Sequence, residues 1–488
     1  MPLKFWLSAG VAVLAVANAQ AAENVLSDEK ADIKISIYNQ DMALVKDNRP
    51  VNLTAGVNDI AFEGVATRIR PETALLFADG VRVLEQNYDY DLMNADNIVA
   101  KSVGQKVKTV TVNPADGKNI FDTATIVSAN FGNPVLQFDY GIEANFPGRL
   151  VFEKMPAGLR SKPTLIAKVN SDAAASKDLS LAYLTNGIGW KTDYVAKVNG
   201  ADKLDLTAWV TINNQSGADY KNAQIQLIAG EVNKVSEAAP VAMRLMAKNA
   251  VMSDGIAEAA VAAEDVSGYY LYTLPARTDI KDNQTKQISL IEKTGVSFNK
   301  EAFLTSPLYF HPDSTAEFKQ QHPQMIYVLN NVEADNLGIR LPAGIMRFYE
   351  NDSNGNLQFI GEDSISHTAK GEELRLNLGE FFNIYANGKI ASVKKLSEEK
   401  TPTANINCQM LNTFYEYQVE VSFHNGGNNA ETAVFKQNLP QDAAITAANI
   451  AGTAENARVQ KWQFTVPANG QTELTYTVKA ADKKRVCN

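Results

Sequence analysis

The stretch "DIKISIYNQDMALVKDNRPVNL", residues 32–53, decides the fold class of this chain. Ile33, Ile35 and Ile37 alternate with polar residues, and a polar turn leads into a second apolar run, "MALV". An apolar residue at every second position is typical of a strand with one buried face. The alternation continues along the chain, broken by Asn, Asp or Gly about every 8 to 12 residues. We therefore predict an all-β protein with antiparallel sheets, organised as several immunoglobulin-like β-sandwich modules.

The length of 488 residues predicts three or four compact units. Composition shifts and turn clusters divide the chain after a leader at 1–21. The predicted regions are an N-terminal β-region at 31–97, a small SH3-like β-barrel insert at 98–158, a central β-sandwich region at 159–330, a β-hairpin region at 331–405 and a C-terminal immunoglobulin-like sandwich at 406–481.

One segment inside the central region differs from its surroundings. Residues 236–268 are rich in Ala and Met and contain no aromatic residue. This composition favours helix over strand, whereas Pro240 and the "SDG" turn interrupt it. We interpret the segment as a mobile or helical linker, which serves either as a lid or partner-binding arm or simply as a flexible connection between strands.

The first residues predict export. Lys4 precedes an apolar core at 5–17, and small residues in an A-x-A pattern follow, which is the pattern of a Sec-type signal peptide over 1–21. The apolar core is shorter than the roughly 20 residues that span a bilayer. No later segment is apolar enough to span one, so we expect no transmembrane segment after signal cleavage and a periplasmic or secreted location in a Gram-negative envelope.

Charge and cysteine content narrow the function classes further. The formal net charge is −9 and no long basic run occurs, which disfavours nucleic-acid binding. The two cysteines, Cys408 and Cys487, form a disulfide in an oxidising compartment or remain free thiols. Two cysteines are too few for a sulfur-rich zinc site.

The stretch "IGEDSISHTAKGEE", residues 360–373, resembles an active site more than any other part of the chain. On a strand, Asp363 and His367 share a face but lie about 13 Å apart, too far for a hydrogen bond, and Glu362 points to the opposite face. If "TAKG" forms the loop, His367 lies opposite Glu372, and the two side chains form an imidazole–carboxylate pair. We therefore predict the polar rim of a hairpin.

Motifs for catalysis or metal binding are absent from the sequence. The four histidines are scattered without metal-ligand spacing, and no G-x-S-x-G or S-x-x-K motif occurs. We therefore predict neither a cofactor nor a metal. Trp190 and Tyr194, in "NGIGWKTDY", are expected to pack in a core or between modules, and they are also candidates for a binding surface.

Several long motifs resemble one family in order along the chain. They include "SLAYLTNGIGWKTDYVAKVN" at 180–199, "LDLTAWVTINNQSGADYKNAQIQLIAGEVN" at 204–233 and "WQFTVPANGQTELTYTVKA" at 462–480. These motifs are similar to the DUF4139 family, a bacterial and eukaryotic domain of unknown function related to mucoidy inhibitor A proteins. The resemblance extends from about residue 31 to 481 and implies a β-rich fold and export. It implies no catalytic residues, and the long coiled coil of the mucoidy-inhibitor relatives is not found in this sequence.

We expect a non-enzymatic structural or binding scaffold of the envelope, whose partner is a protein or a glycan. The candidate binding residues are Trp190, Tyr194, Glu362, Asp363, His367 and Glu372. The alternative is an envelope hydrolase or metal-dependent enzyme, with a site that forms only in three dimensions around His367. Replacing His367 by Ala separates these hypotheses, because a scaffold role affects stability whereas a catalytic role affects activity.

Overall fold

The computed structural model describes residues 23–129, 133–156, 158–230, 263–266, 269–313, 315–402 and 408–487. Strands make up 66% of the structure and helices 4%, which confirms the all-β prediction. No helix in the described part is long and apolar enough to cross a membrane. The predicted signal peptide at 1–21 lies outside the described residues. The same holds for most of the 236–268 linker, of which residues 263–266 form a strand.

The chain divides into two compact units, which are described separately. The first unit comprises the described chain up to Trp190 together with Ile212–Ile228 and Tyr272–Lys286, and the second comprises the remaining segments. The elements up to the middle of the chain are β1 Asn24–Leu26, β2 Asp32–Tyr38, β3 Met42–Leu53, β4 Gly56–Glu63, β5 Leu75–Phe77, β6 Val81–Asp89, α1 Ala95–Lys101, β7 Lys106–Val112, β8 Asn119–Ser128, β9 Val135–Phe138, β10 Gly141–Ala144, β11 Arg149–Val151, β12 Thr164–Ser171, β13 Ala175–Asn186, β14 Ile188–Val198, β15 Lys203–Asn214 and β16 Tyr220–Ala229.

The second half of the chain consists of further strands and short turns. They are β17 Ala263–Val266, β18 Tyr269–Thr273, β19 Thr278–Ile280, β20 Gln284–Ser297, β21 Asn299–Thr305, β22 Glu317–Gln321, β23 Gln324–Asn330, β24 Gly344–Asn351, β25 Leu357–Ile365, β26 Glu373–Glu380, β27 Ile384–Pro402, β28 Cys408–Asn425, β29 Glu431–Asn438, β30 Ala444–Ala448, β31 Thr453–Asn456, β32 Val459–Val466 and β33 Gly470–Cys487. Short 3-10 helices lie at Asp28–Lys30, Pro71–Thr73 and Glu333–Asp335.

The first unit contains the opening stretch as an antiparallel pair. Strand β2 pairs with β3 in the register that places Ile35 opposite Val45 and Ile37 opposite Ala43, and all four side chains are fully buried. Around this pair the sheet order is β16-β2-β3-β13-β5, and a second sheet has the order β1-β4-β12-β6. The alternation read from the sequence therefore sets both the strands and their buried face.

Strand β3 also buries a charged pair that the sequence pattern does not reveal. The Arg49 guanidinium binds the Asp47 carboxylate, with a shortest distance of 2.6 Å, and both side chains are almost fully buried. Arg49 also donates to the carbonyl oxygens of Leu26 and Glu63. A buried ion pair is tolerated when its remaining polar groups are satisfied, so this pair links three backbone segments rather than forming a reactive site.

In the small unit predicted at 98–158, the described residues form an open sheet and not a closed SH3-like barrel. Its five strands have the order β10-β9-β8-β7-β11, so β10 and β11 form the two edges. The strand order contains no pairing between these two edge strands, so the described sheet does not close on itself. The predicted set of five strands is therefore present, but the barrel closure was wrong.

The second unit is built from three sheets with two cores. Their strand orders are β20-β15-β14-β24-β25, β26-β23-β21-β29-β32-β31 and β22-β27-β28-β33-β30. One core, which includes Tyr194 and Phe348, lies between the first and second sheets. The other, which includes Phe423 and Trp462, lies between the second and third sheets. Each pair of sheets therefore encloses an apolar layer, as in a β-sandwich.

Candidate functional site

The acidic cluster at 360–373 lies at the end of a hairpin formed by β24 and β25, which we call the central hairpin. Its turn is fixed by Asp352, whose carboxylate accepts hydrogen bonds from the backbone N–H groups of Asn354 and Asn356. The bond from Asn356 makes the largest contribution to a lowered pKa of Asp352. The carboxylate therefore stabilises the turn in its ionised form.

Glu362 lies on the outer face of the central hairpin, directly opposite Arg347. The Arg347 Nε atom is 2.9 Å from the Glu362 carboxylate, and Arg347 Nη1 is 2.8 Å from the Asp193 carboxylate on the neighbouring strand β14. One guanidinium thus bridges two carboxylates on two strands. Its planar fork of donors is suited to this role.

The contacts continue across the whole sheet as a polar ladder of Gln287, Thr211, Asp193, Arg347 and Glu362. Gln287 Nε2 donates to Thr211 Oγ1 over 3.3 Å, and Thr211 Oγ1 donates to Asp193 Oδ2 over 3.4 Å. Each of the five strands contributes one member. The ladder therefore links the five strands through side-chain contacts, and Glu362 is its last member.

Electrostatics support a structural role for the ladder. Burial pushes the pKa of Asp193 upward, but the hydrogen bond from Arg347 and the charges of Lys191 and Arg347 outweigh it, so this pKa lies below its ordinary value. The hydrogen bond to Asp193 in turn raises the pKa of Arg347. Both groups remain ionised at neutral pH, and neither is poised to transfer a proton.

Asp363 faces away from Glu362, as the strand geometry predicts. Its carboxylate accepts hydrogen bonds of 2.8 Å from the backbone N–H groups of Asn377 on β26 and of Ser364. His367 and Glu372 bind two further backbone segments. His367 Nδ1 accepts from the Ala343 N–H over 3.0 Å, and the Glu372 carboxylate accepts from the Ala369 N–H over 2.9 Å.

Asp363, His367 and Glu372 therefore bind different pieces of backbone, whereas Glu362 binds the side chain of Arg347. The structure does not bring Glu362 and Asp363 to one point, because they occupy opposite faces of β25. No group of three or more His, Cys, Asp or Glu side chains in the described ranges could hold a metal ion. The acidic cluster is thus a set of local anchors.

The two aromatic candidates lie inside the protein. Trp190 is buried in the first unit, where its Nε1 donates to the Ile228 carbonyl over 3.2 Å and its ring meets Tyr272 edge-on. Tyr194 is fully buried in the second unit and donates to the Pro342 carbonyl over 2.7 Å. Both side chains are therefore used in packing, as one of the two sequence interpretations expects.

The cysteine pair is a disulfide in the structure. Cys408 begins β28 and Cys487 ends β33, and the two residues lie opposite each other in the register of these strands. The bond joins the last described residues of β33 to a neighbouring strand. It therefore fixes one end of the third sheet of the second unit.

A cleft that sequence analysis missed lies on the outer face of the third sheet of the second unit. Strands β22, β27, β28 and β33 form this C-terminal cleft, whose volume is about 770 Å³. It is lined by Glu317, Phe318, Lys319, Gln320, Tyr385, Asn387, Gly388, Lys389, Glu420, Val421, Ser422, Glu473 and Thr475. Such a volume is in the range of small-molecule sites, about 300–1,000 Å³.

The strand registers arrange the floor of the cleft in parallel rows. Tyr385 pairs with His424, Asn387 pairs with Ser422, and Lys389 pairs with Glu420. On the next strand, Glu473 lies opposite Ser422 and Thr475 opposite Glu420. The intervening residues Ile384, Ala386, Phe423 and Leu474 point into the core. The outer face therefore presents a regular grid of polar side chains.

The cleft contains local contacts that fix its shape. The rings of Tyr385 and His424 stack at 4.7 Å with an interplanar angle of 14°, and His424 Nε2 lies 3.1 Å from the Ser422 hydroxyl. On the wall, the backbone N–H of Gln320 donates to the Asn387 side chain over 2.8 Å. A Cβ at Gly388 would collide with the Phe318 ring, so glycine is required where β22 packs on β27.

A weak signal for the cleft is present in the sequence. In "IYANGKI" (384–390), "EVSFH" (420–424) and "QTELT" (471–475), every second residue is polar or aromatic. This alternation predicts one outward face for each strand. It does not give the register between strands far apart in sequence, and that register brings the three sets together.

The chain matches a protein-family model. The model described as "Domain of unknown function (DUF4139)" matches residues 179–481, which is more than half of the chain and includes both the central hairpin and the C-terminal cleft. Residues before 179 lie outside the match, whereas the sequence resemblance extends from about residue 31. No curated protein matches the chain.

Proposed function

The chain belongs to the DUF4139 family, and from this premise we propose that it is an exported, periplasmic envelope protein that acts as a non-enzymatic binding scaffold. Its partner is a component of the envelope, and its binding site is the C-terminal cleft. The observation that carries the proposal is the contrast between an acidic cluster whose groups are bound by backbone N–H groups or by Arg347 and a cleft that is lined by polar side chains.

Two features support export. The leader at 1–21 has the charge, apolar core and small-residue ending of a secretory signal. The disulfide between Cys408 and Cys487 is a bond that persists in oxidising compartments such as the periplasm and is rare in the cytosol. The two features lie at opposite ends of the sequence and support the same compartment independently.

The sheet architecture supports binding rather than catalysis. Catalysis needs an acid, a base or a nucleophile held within hydrogen-bonding distance of a reacting atom. In the central hairpin, the carboxylates and the imidazole are engaged by backbone N–H groups or by Arg347. In the C-terminal cleft, rigid strands hold the side chains in fixed rows, which provides a preorganised surface for a ligand.

The experiment combines fractionation with site-specific photo-crosslinking. The full-length protein is produced with p-benzoylphenylalanine in place of Glu473, which is exposed in the cleft. Cells are irradiated intact, and the periplasmic fraction is released by osmotic shock. We expect the protein in that fraction, with a crosslinked envelope component attached.

The matched control carries the same photo-reactive residue in place of Lys370, an exposed side chain of the acidic cluster. Crosslinking is expected at position 473 and not at position 370. Recovery of the protein only from the cytoplasm would contradict the export proposal. Crosslinking at position 370 alone would contradict the assignment of the binding site.

A further inference from the structure

The C-terminal cleft contains a fixed aromatic surface. Tyr385 lines the cleft, and His424 stacks against its ring at 4.7 Å and nearly parallel. The Ser422 hydroxyl lies 3.1 Å from His424 Nε2 and helps to hold the imidazole. Tyr385 is half-buried and its position is set by its neighbours. A held aromatic ring can stack on a flat apolar face of a ligand.

The rest of the cleft floor is rich in hydrogen-bonding groups. Asn387, Ser422 and Glu473 occupy one row, and Lys389, Glu420 and Thr475 occupy the next. Each of these side chains carries a donor, an acceptor or both. An apolar occupant would remove these groups from water without replacing the hydrogen bonds that they make to it, which is unfavourable. The ligand must therefore bring many hydrogen-bonding groups of its own.

The charges of the cleft do not favour an ionic ligand. Lys319 is 2.8 Å from Glu317, and Lys389 is 3.0 Å from Glu420, so both lysines already have acidic partners. Among the residues that the structure describes, no ion pair reaches Glu473. An anion would find no unpaired cation and would meet Glu473. A cation would gain only one exposed carboxylate, and exposed ion pairs contribute little.

We propose that the C-terminal cleft binds an uncharged oligosaccharide. A sugar ring combines a flat C–H face, which stacks on Tyr385, with hydroxyl groups that donate to and accept from the neighbouring rows. The volume of about 770 Å³ accommodates a short chain of sugars. This inference rests on the proposed function, because it names the ligand class of the same cleft.

The experiment measures binding of defined oligosaccharides to the purified full-length protein by isothermal titration calorimetry. The probes are the tetramer of β-1,4-linked N-acetylglucosamine and maltotetraose, both uncharged, and they are compared with a tetragalacturonate and a chitosan tetramer. We expect at least one uncharged probe to bind and both charged probes to bind more weakly. Preferential binding of either charged probe, or no binding of the uncharged probes, would overturn the inference.

The variants test whether the stacking surface carries the affinity. Tyr385→Ala removes the ring and is expected to weaken binding about tenfold, whereas Tyr385→Phe keeps the ring and the affinity. Phe382→Ala, at an exposed aromatic outside the cleft lining, is the matched control and leaves the affinity unchanged. Equal affinities for Tyr385→Ala and Phe382→Ala would overturn the stacking model, provided that circular dichroism shows both variants to be folded.

Failure of the oligosaccharide inference can be distinguished from failure of the proposed function. If the uncharged probes fail to bind but the residue at position 473 still crosslinks to an envelope protein, the oligosaccharide inference falls and the binding scaffold remains. If neither crosslinking nor sugar binding is observed, both fall.

Discussion

The central hairpin and the C-terminal cleft contain the same kinds of side chain and use them in opposite ways. Each has several carboxylates, at least one serine and a histidine on neighbouring strands or turns. In the hairpin, Asp363 and His367 accept hydrogen bonds from backbone N–H groups, and Glu362 binds Arg347. In the cleft, Glu473 makes no ion pair among the described residues, and Tyr385 is one of the lining residues.

The difference shows that composition does not identify a site. A carboxylate that already accepts hydrogen bonds from backbone N–H groups has fewer acceptor sites left for a ligand, however many acidic neighbours it has. Side chains that can bind a ligand lie where strands keep polar residues on one exposed face of a sheet. Four changes test this contrast, beginning with the largest expected effect.

The disulfide is expected to have the largest effect on stability. Replacing both Cys408 and Cys487 by Ser opens a loop of 79 residues, and the chain-entropy model gives a loss of about 4 kcal/mol in the free energy of unfolding. Urea denaturation of the oxidised wild type and the variant measures the difference. A loss below about 1 kcal/mol would show that the strand pairing of β28 and β33 holds without the bond.

Breaking the polar ladder is expected to have the second-largest effect on the free energy of unfolding. Arg347→Ala leaves the largely buried Asp193 and the Glu362 carboxylate without their shared guanidinium, so we expect a loss of about 2 kcal/mol in the free energy of unfolding. The matched control is Lys370→Ala, which breaks an exposed ion pair with Glu333 and should change stability by less than about 1 kcal/mol. Equal effects would contradict the structural role of the ladder.

The pH dependence of stability gives a smaller effect. The pKa of Asp193 lies below its ordinary value of 3.8, so its ionised form stabilises the fold above that value and the contribution disappears as pH falls through the folded pKa. The stability difference between the wild type and Asp193→Asn should therefore be constant near neutral pH and shrink below about pH 4. A difference that grows on acidification would contradict this sign.

The smallest effect on stability is expected in the cleft. Lys389→Ala removes an exposed ion pair with Glu420 and should change the free energy of unfolding by less than about 1 kcal/mol. The same variant should still weaken partner binding, because Lys389 belongs to the polar floor. Thermal unfolding and crosslinking from position 473 measure the two quantities. A large stability loss would show that the cleft is a structural feature like the hairpin.

Much of the fold was predictable from local sequence. The alternation of Ile33, Ile35 and Ile37 gave strand β2 and its buried face, and the same reasoning placed Glu362 and Asp363 on opposite sides of β25. Such predictions succeed because side chains alternate along any extended backbone. The five strands of the small sheet were likewise predicted, whereas barrel closure depends on strand tilt and on the stagger between strands.

The C-terminal cleft was harder to predict because it depends on pairing between strands that are far apart in the sequence. Tyr385, Ser422 and Glu473 are separated by tens of residues and meet only through the registers of β27, β28 and β33. Arg347 and Asp193 meet in the same way through a parallel strand pair. Local patterns give the face of each strand, but they do not determine which strands become neighbours.

The replacement of His367 by Ala tests the central claim most directly. The imidazole accepts the Ala343 N–H over 3.0 Å, so the variant loses an anchor of the hairpin end. We predict a lower melting temperature, with crosslinking from position 473 unchanged in the folded protein. An unchanged melting temperature together with the loss of crosslinking or of a measurable activity would contradict the account and place the functional site in the hairpin.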